Sequence, residues 1–253
     1  MSSIAIPITD IKETNKPDLE ALLDSIEGFP GLVVCMYDSC SENFVRYFEK
    51  KFPWTHTIWN TGNRLNFTRN SNLGLRFAHK HANSGVFLVN QDCVLPKYEV
   101  LKEVEGAGLA TPQAVQVPEG QDLSSLQPAL FEREVLLNKF PFYCPYFSKE
   151  LLDKVGYLDE AFKIVFSDDQ YILRTMLAGF PVESVNVKIV HKGSYHDTNK
   201  EGTSRSGAYS GNDLGLSLLQ YRVQWQIPND ISHDMIIPWC MKNRAWSDKM
   251  FYS

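Results

Sequence analysis

The stretch that decides the fold is GVFLVNQDCVLP, Gly85 to Pro96. Val86, Phe87, Leu88 and Val89 make a short apolar run, bounded by Gly85 on one side and by Asn90, Gln91 and Asp92 on the other. A run of this length without polar alternation reads as a strand covered on both faces, which is the condition of strands in parallel sheets. The change to two amides and a carboxylate falls where the chain would leave the core. In open α/β sheets, ligands bind outside the carboxyl ends of the strands. Asp92 therefore stands where a ligand is expected.

The same texture repeats on the N-terminal side. SIAIPI (3–8) is a short apolar run closed by Thr9 and Asp10, and GLVVCMYD (31–38) ends in Asp38. HTIWN (56–60) is a third strand and ends in Asn60. Between these runs lie helical patterns. PDLEALLDSIEG places Leu19, Leu22, Leu23 and Ile26 on one face, with Pro17 near the start and Gly28 at the close. SENFVRYFEKKF has Ser41 in position to cap a helix, and FTRNSNLGLRFAHKHA is a third helix. His79 and His81 lie two apart on it, do not share a face, and read as solvated. The order βαβαβαβ predicts a mostly parallel sheet with helices on both faces. Thr9, Asp10, Asp38, Asn60, Asn90 and Asp92 then gather along one rim.

Beyond Asp92 the pattern loosens. GLATPQAVQV suggests a strand within 108–117, and 118–130 reads as a surface loop. FPFYCPYF (140–147) reads mainly as core strand, SKELLDKVG (148–156) and FSDDQYILRTMLAGF (166–180) as helices, and PVESVNVKIVH (181–191) as a strand ending in His191. Residues 192–213 have no periodicity and read as a loop; DLGLSLLQYRVQW (213–225) is a last helix, and 226–253 is an aromatic tail punctuated by proline. Asp168 and Asp169 open the 166–180 helix; one reads as its N-cap and the other as a complement to the helix dipole.

Composition narrows the class. The chain has 253 residues, 43% hydrophobic and 22% charged, with a net charge of −5. That is a globular composition with no basic excess to coat nucleic acid or membrane. The cysteines (35, 40, 93, 144 and 240) are odd in number and show no paired spacing, which predicts free thiols rather than a disulfide framework or a zinc site. No secretory leader and no apolar run of membrane-crossing length is visible, so a cytoplasmic setting is expected.

Taken together, these segments resemble the inverting glycosyltransferases of the GT-A fold, family 2, in their rhamnosyltransferase-like branch. AIPITD is similar to the opening strand of that family, LVVCMYDSCSEN to its second strand, and NTGNRLNFTRNSNLGLRFA to the Asn/Gly-rich link and helix. GVFLVNQDCVLP resembles its metal-site strand, and FSKELLDKVGYLDEAF with FSDDQYILRTMLAGF its acidic-loop and acidic-pair block. VKIVH resembles the strand that delivers a late histidine, and YRVQWQIPNDISHDMIIPW the tail of the branch. The resemblance runs from about residue 4 to 240. It implies a nucleotide-diphospho-sugar transferase fold: a mostly parallel central sheet flanked by helices, with a C-terminal helical or irregular appendage. Residues 1–215 would be the transferase domain, divided into a nucleotide-sugar half (1–96) and an acceptor half (97–215), with 216–253 packing on it.

The resemblance also assigns roles. Asp92 matches the metal-contacting Asp of an Asp-x-Asp motif whose first member is here Asn90, an uncharged amide that can serve a ribose. His191 would be a second metal ligand, and the cofactor a divalent cation, Mn²⁺ or Mg²⁺, that stabilises a leaving diphosphate. Asp38 would accept from the nucleobase; Thr9, Asp10 and Asn60 would line the same pocket; Arg69 and Asn70 would face the diphosphate. Asp168, with Asp169 as runner-up, would be the general base, and Ser167 stands where the family has Glu. Aromatics of FPFYCPYF, with Trp225, Trp239 and Trp246, could stack on sugars or pack the tail. The implied partners are a nucleotide-diphosphate sugar donor and a glycan or other hydroxyl-bearing acceptor, a modified nucleic-acid base included. Two rivals remain: a catalytically inactive sugar- or nucleotide-binding module, favoured by Asn90 and Ser167, and a nucleotidyltransferase. The second expects a Gly-rich loop after the first strand, and IPITDIKETNKPD has no glycine.

Overall fold

Apolar residues on both faces of the early strands make a sheet that needs a helical layer on each side, and the computed structural model has that architecture. It describes residues 1–9, 16–115, 117, 121–135, 142–162 and 166–192, with 221–222, 224–225, 227–228, 230–232 and 235–243 near the C-terminus. Strands β1 (Ser3–Thr9), β2 (Val33–Asp38), β3 (His56–Asn60) and β4 (Gly85–Leu88) alternate with helices α1 (Lys16–Ser25), α2 (Glu42–Lys51) and α3 (Phe67–His81). Alternate side chains of each strand feed different cores. Ile4, Ile6 and Ile8 of β1 and Val33, Cys35 and Tyr37 of β2 pack with Leu19, Leu22 and Phe48 of α1 and α2. Ala5, Val34 and Met36 pack on the other face with Leu75 and Ala78 of α3. Period two in the strands and a single apolar stripe on each helix produce this division.

The second half completes the sheet. After β5 (Cys93–Val94) come α4 (Leu101–Val104), β6 (Leu109–Val115), β7 (Arg133–Val135), β8 (Tyr146–Ser148), α5 (Lys149–Val155), α6 (Ser167–Leu177) and β9 (Val182–His191). Among the described residues the strands form one sheet in the order β3-β2-β1-β4-β8-β6-β9-β5, with β7 on β9. Pairing is parallel through β3, β2, β1 and β4, and between β6 and β9; β8, β5 and β7 run antiparallel to their neighbours. FPFYCPYF is therefore only partly strand. Its last residues form β8, which runs against β4, while Phe142–Pro145 make turns and bends before it. Opposite Pro112 and Gln113, β9 carries two extra residues. Such a bulge bends a strand and adds twist, and beyond it β9 pairs with β6 on one side and β5 on the other.

Side chains lock the helices to this frame. The Asn70 amide is buried on α3 and donates to the carbonyls of Ile8 and Met36, near the ends of β1 and β2. Asn72 accepts from the Leu158 N–H and donates to its carbonyl, which docks the loop after α5 onto α3. Arg174 of α6 donates to the carbonyls of Val155 and Tyr157 and so caps the end of α5. Ser41 and Ser148 cap α2 and α5 through their hydroxyls. At the C-terminus a short helix, Ile236–Lys242, stands in what the sequence shows only as an aromatic tail. With Tyr221, Trp225 and Ile227 it packs on Phe166, Leu173 and Leu177. Asp10, the 193–213 loop, residues 213–220 of the expected last helix and Trp246 lie outside the described residues.

All five cysteines are buried and free, and burial pushes the thiols of Cys35 and Cys144 up to about 12. No helix among the described residues is long and apolar enough to cross a membrane. One histidine departs from expectation. His79 is buried, not solvated: Nδ1 lies 2.9 Å from the Tyr157 hydroxyl and Nε2 lies 3.1 Å from Asp153. Its side of α3 faces the α5 layer, which the spacing of two histidines does not reveal. Burial, reinforced by Lys149, lowers its pKa despite Asp153. A histidine held neutral in the fold but free to protonate when unfolded favours the unfolded state as pH falls below its unfolded value of about 6.5. Urea midpoints measured from pH 7.5 to pH 5.5 will fall more steeply in the wild type than in His79→Gln.

Candidate functional site

Three strand ends line up in register. Thr9 is opposite Asp38, and Asp38 is opposite Asn60. Asp38 has no exposed surface; its Oδ1 accepts from the Asn60 amide at 2.7 Å and from the Leu65 N–H at 3.1 Å, and Oδ2 accepts from the Ser39 hydroxyl. Asn60 also donates to the Asn63 carbonyl and accepts from the Gly62 N–H, so the 60–65 loop is drawn tightly over the end of β2. Asp38 thus supports the rim from within instead of presenting its carboxylate to solvent. On the other side, the Thr9 N–H donates to Gln91 Oε1 at 3.0 Å. Gln91, the middle residue of the Asn-Gln-Asp turn, joins that turn to the end of β1.

The turn itself is closed by the Cys93 N–H donating to the Asn90 carbonyl at 3.0 Å. It leads into β5, where Cys93 pairs with His191 and Val94 with Val190. The Lys192 N–H donates to the Asp92 carbonyl, extending the ladder by one step. His191 Nε2 then lies 3.3 Å from Asp92 Oδ1, with the two side chains 17% and 13% exposed. The predicted metal pair is in contact. Two donors on an octahedral ion with bonds of about 2.1 Å stand about 3 Å apart, so carboxylate oxygen and imidazole nitrogen converge at a spacing that suits such an ion. The Asn90 amide oxygen, buried and without a hydrogen-bond partner, lies two residues away in the same turn. Among the described residues no third His, Cys, Asp or Glu joins Asp92 and His191 around an ion. One carboxylate and one imidazole, without a thiolate, do not suit a thiolate-seeking metal.

The acidic pair sits at the start of α6. Neither Asp168 nor Asp169 is the N-cap, which corrects that expectation. The cap is Phe166, in the left-handed region at φ 64°, and both carboxylates lie in the first helical turn. Ser39, directly after Asp38, is the other non-glycine residue with positive φ among the described residues. Backbone strain of this kind concentrates at functional sites, and here it flanks both acidic positions. The helix feeds two apolar clusters. Ile172, one turn beyond Asp168, packs in the core with Phe142 and Phe147 near the sheet. Leu173, one turn beyond Asp169, packs with Tyr221 and the C-terminal segment. Burial, then Asp169, with Cys240 and Asp168 behind, pushes the Tyr221 phenol well above its ordinary pKa. Tyr221 thus feels both carboxylates, Asp169 more strongly than Asp168.

Arg69 and Asn70 divide. Asn70 is 1% exposed, and its amide is spent on strand carbonyls. Arg69 is more than half exposed and lies 3.6 Å from Glu160, which also receives the Arg76 guanidinium and the Asn72 amide. Sequence reading missed Gln91 and Tyr143. Tyr143 stacks its ring on His191, and its carbonyl accepts from the Asn90 N–H at 2.9 Å. It lies inside an aromatic run, which gives no sign of which ring touches the site.

No family model and no curated protein sequence matches the chain. Among solved structures, TarS from S. aureus superposes with a TM-score of 0.62 at 16% identity, covering 98% of this chain and 44% of that one. The chain spans under half the length of that protein. The mannosyltransferase PcManGT from Pyrobaculum calidifontis, in complex with GDP-Man and Mn²⁺, superposes with a TM-score of 0.55 at 15% identity, covering 96% of this chain and 72% of that one. TarS residues 1–349 in complex with UDP gives 0.54 at 15% identity, covering 88% of this chain and 72% of that one. The chain has the GT-A fold. In GT-A terms the β1–β4 half carries the aligned row of strand ends, and the turn after β4 carries Asp92.

Replacing Asp38 with Ala leaves the Leu65 N–H, the Asn60 amide and the Ser39 hydroxyl short of an acceptor, at a cost of about 1–3 kcal/mol. Urea unfolding of Asp38→Ala will show that loss. An unchanged midpoint would mean the carboxylate does not tie the loop.

Proposed function

We propose that the chain is an inverting glycosyltransferase that moves a sugar from a nucleotide-diphosphate donor to an acceptor hydroxyl, with a divalent cation held by Asp92 and His191. The observation that carries this reading is the 3.3 Å contact of Asp92 with His191, placed beside the in-register row Thr9–Asp38–Asn60 by Gln91. The sequence resemblance to family 2 and its rhamnosyltransferase-like branch supports the inverting outcome. That UDP, GDP-Man and Mn²⁺ occupy proteins of similar fold supports the ligand class.

In this reading the ends of β1, β2 and β3 form the wall against which the nucleoside lies. Asp38 acts from behind, by fixing Asn60 and the 61–65 loop. Asn90 offers its unpartnered amide oxygen to a ribose hydroxyl or to the ion. Arg69, exposed at the start of α3, is available to a phosphate oxygen, whereas Asn70 braces the strands. Asp92 and His191 would hold the cation, which would supply positive charge to a leaving diphosphate. Asp168 takes the acceptor proton as the hydroxyl attacks the anomeric carbon from the opposite side; its match to the family's acidic block ranks it above Asp169. A glycan is the acceptor that best fits the resemblance.

The test is release of GDP or UDP from a panel of GDP- and UDP-hexoses, with and without Mn²⁺. Turnover that needs Mn²⁺ and is lost in Asp92→Ala supports the enzyme; nucleotide-sugar binding without turnover in the presence of glycan acceptors would leave a binding module. Where turnover is found, Asp168→Asn will lower it by about 10²-fold or more, in keeping with loss of a general base, while nucleotide affinity stays within about twofold. Equal loss of binding and turnover would remove Asp168 from that role.

A further inference from the structure

We propose that Tyr143 is a positioning residue for the cation site: its ring sets the plane of the His191 imidazole, and its carbonyl holds the turn that presents Asp92. This rests on the reading of Asp92 and His191 as metal ligands. The Tyr143 and His191 rings are stacked, with centroids 3.7 Å apart and planes 16° from parallel. The Tyr143 carbonyl accepts from the Asn90 N–H at 2.9 Å and from the Cys93 thiol at 3.4 Å. One residue therefore touches both arms of the site, which come from strands that β8 and β6 separate in the sheet.

The need for such a residue follows from torsional freedom. The terminal torsion of a histidine is broad, so the backbone at the end of β9 does not by itself fix where the ring nitrogens point. A flat neighbour does. Tyr143 can act as that neighbour because its own backbone is fixed: the Leu88 N–H donates to the Pro145 carbonyl and the Asn90 N–H to the Tyr143 carbonyl, continuing the β4–β8 ladder up to the turn. One face of the ring is occupied by His191, which takes that face away from the sugar-stacking role expected for this aromatic run. Groups behind metal ligands typically change metal affinity by 10–100-fold when removed.

The test uses Mn²⁺ as the probe, with GDP and with UDP present, read by titration calorimetry and by the Mn²⁺ EPR signal. Tyr143→Phe keeps the flat ring; Tyr143→Leu and Tyr143→Met fill space without one. The expected result is Mn²⁺ affinity within about twofold of wild type for Tyr143→Phe and at least about tenfold weaker for Leu or Met, with the melting temperature of each metal-free variant close to wild type. A Leu or Met variant that binds Mn²⁺ as the wild type does would overturn the role of Tyr143 and leave Asp92 and His191 standing. So would a Phe variant as weak as Leu, since the flat face would then not be the cause. Wild type that takes up no Mn²⁺ with either nucleotide would overturn the metal reading, and Tyr143 with it.

Discussion

The arrangement depends on the pairing of Cys93 with His191. The exit of β4 and the end of β9 are separated in the sheet by β8 and β6. They meet because the chain beyond the β4 turn adds the two residues of β5 to the end of β9. Without that pairing Asp92 would be a turn carboxylate and His191 a strand-end imidazole. With it, a carboxylate oxygen and a ring nitrogen share one small volume, in partial burial that screens them less than bulk water would.

Around that contact the protein spends polar groups on rigidity. The Asp38 carboxylate and the Asn70 amide are both buried and tie down backbone at the ends of the strands. Gln91 couples the Asn90–Asp92 turn to β1, and Arg174 fixes α6 against α5. A site whose supporting groups are themselves hydrogen-bonded can hold its reacting groups close to productive geometry. The left-handed residues Ser39 and Phe166 mark the two places where the chain turns sharply enough to deliver acidic side chains.

Much of this was legible in the sequence, because local pattern encodes it. Two-sided apolar runs showed β1, β2 and β4, and the strand-end position of Asp38, Asn60 and Asp92 followed from where those runs stop. The pairing of Asp92 with His191 came from family resemblance, since they stand about a hundred residues apart and no periodicity links them. Strand direction was not legible: nothing in Tyr146–Ser148 says that it runs against β4. β5 has two residues, too few for any period. Phe166 as a left-handed cap is invisible because a bulky residue in that conformation is uncommon. His79 was misread because burial of a helix face depends on what packs against it, here Tyr157 and Asp153. Asp38 was found, but its buried, supporting position could be seen only once the 60–65 loop was folded over it.

The proposal that Asp92 and His191 hold one cation, with a nucleotide diphosphate against it beside the β1–β3 rim, is tested most directly by a crystal structure with Mn²⁺ and GDP or UDP, with diffraction recorded at the manganese edge. The expected result is an anomalous peak in contact with both Asp92 and His191 and next to the diphosphate. Manganese bound elsewhere, or a nucleotide seated away from the ends of β1, β2 and β3, would contradict it.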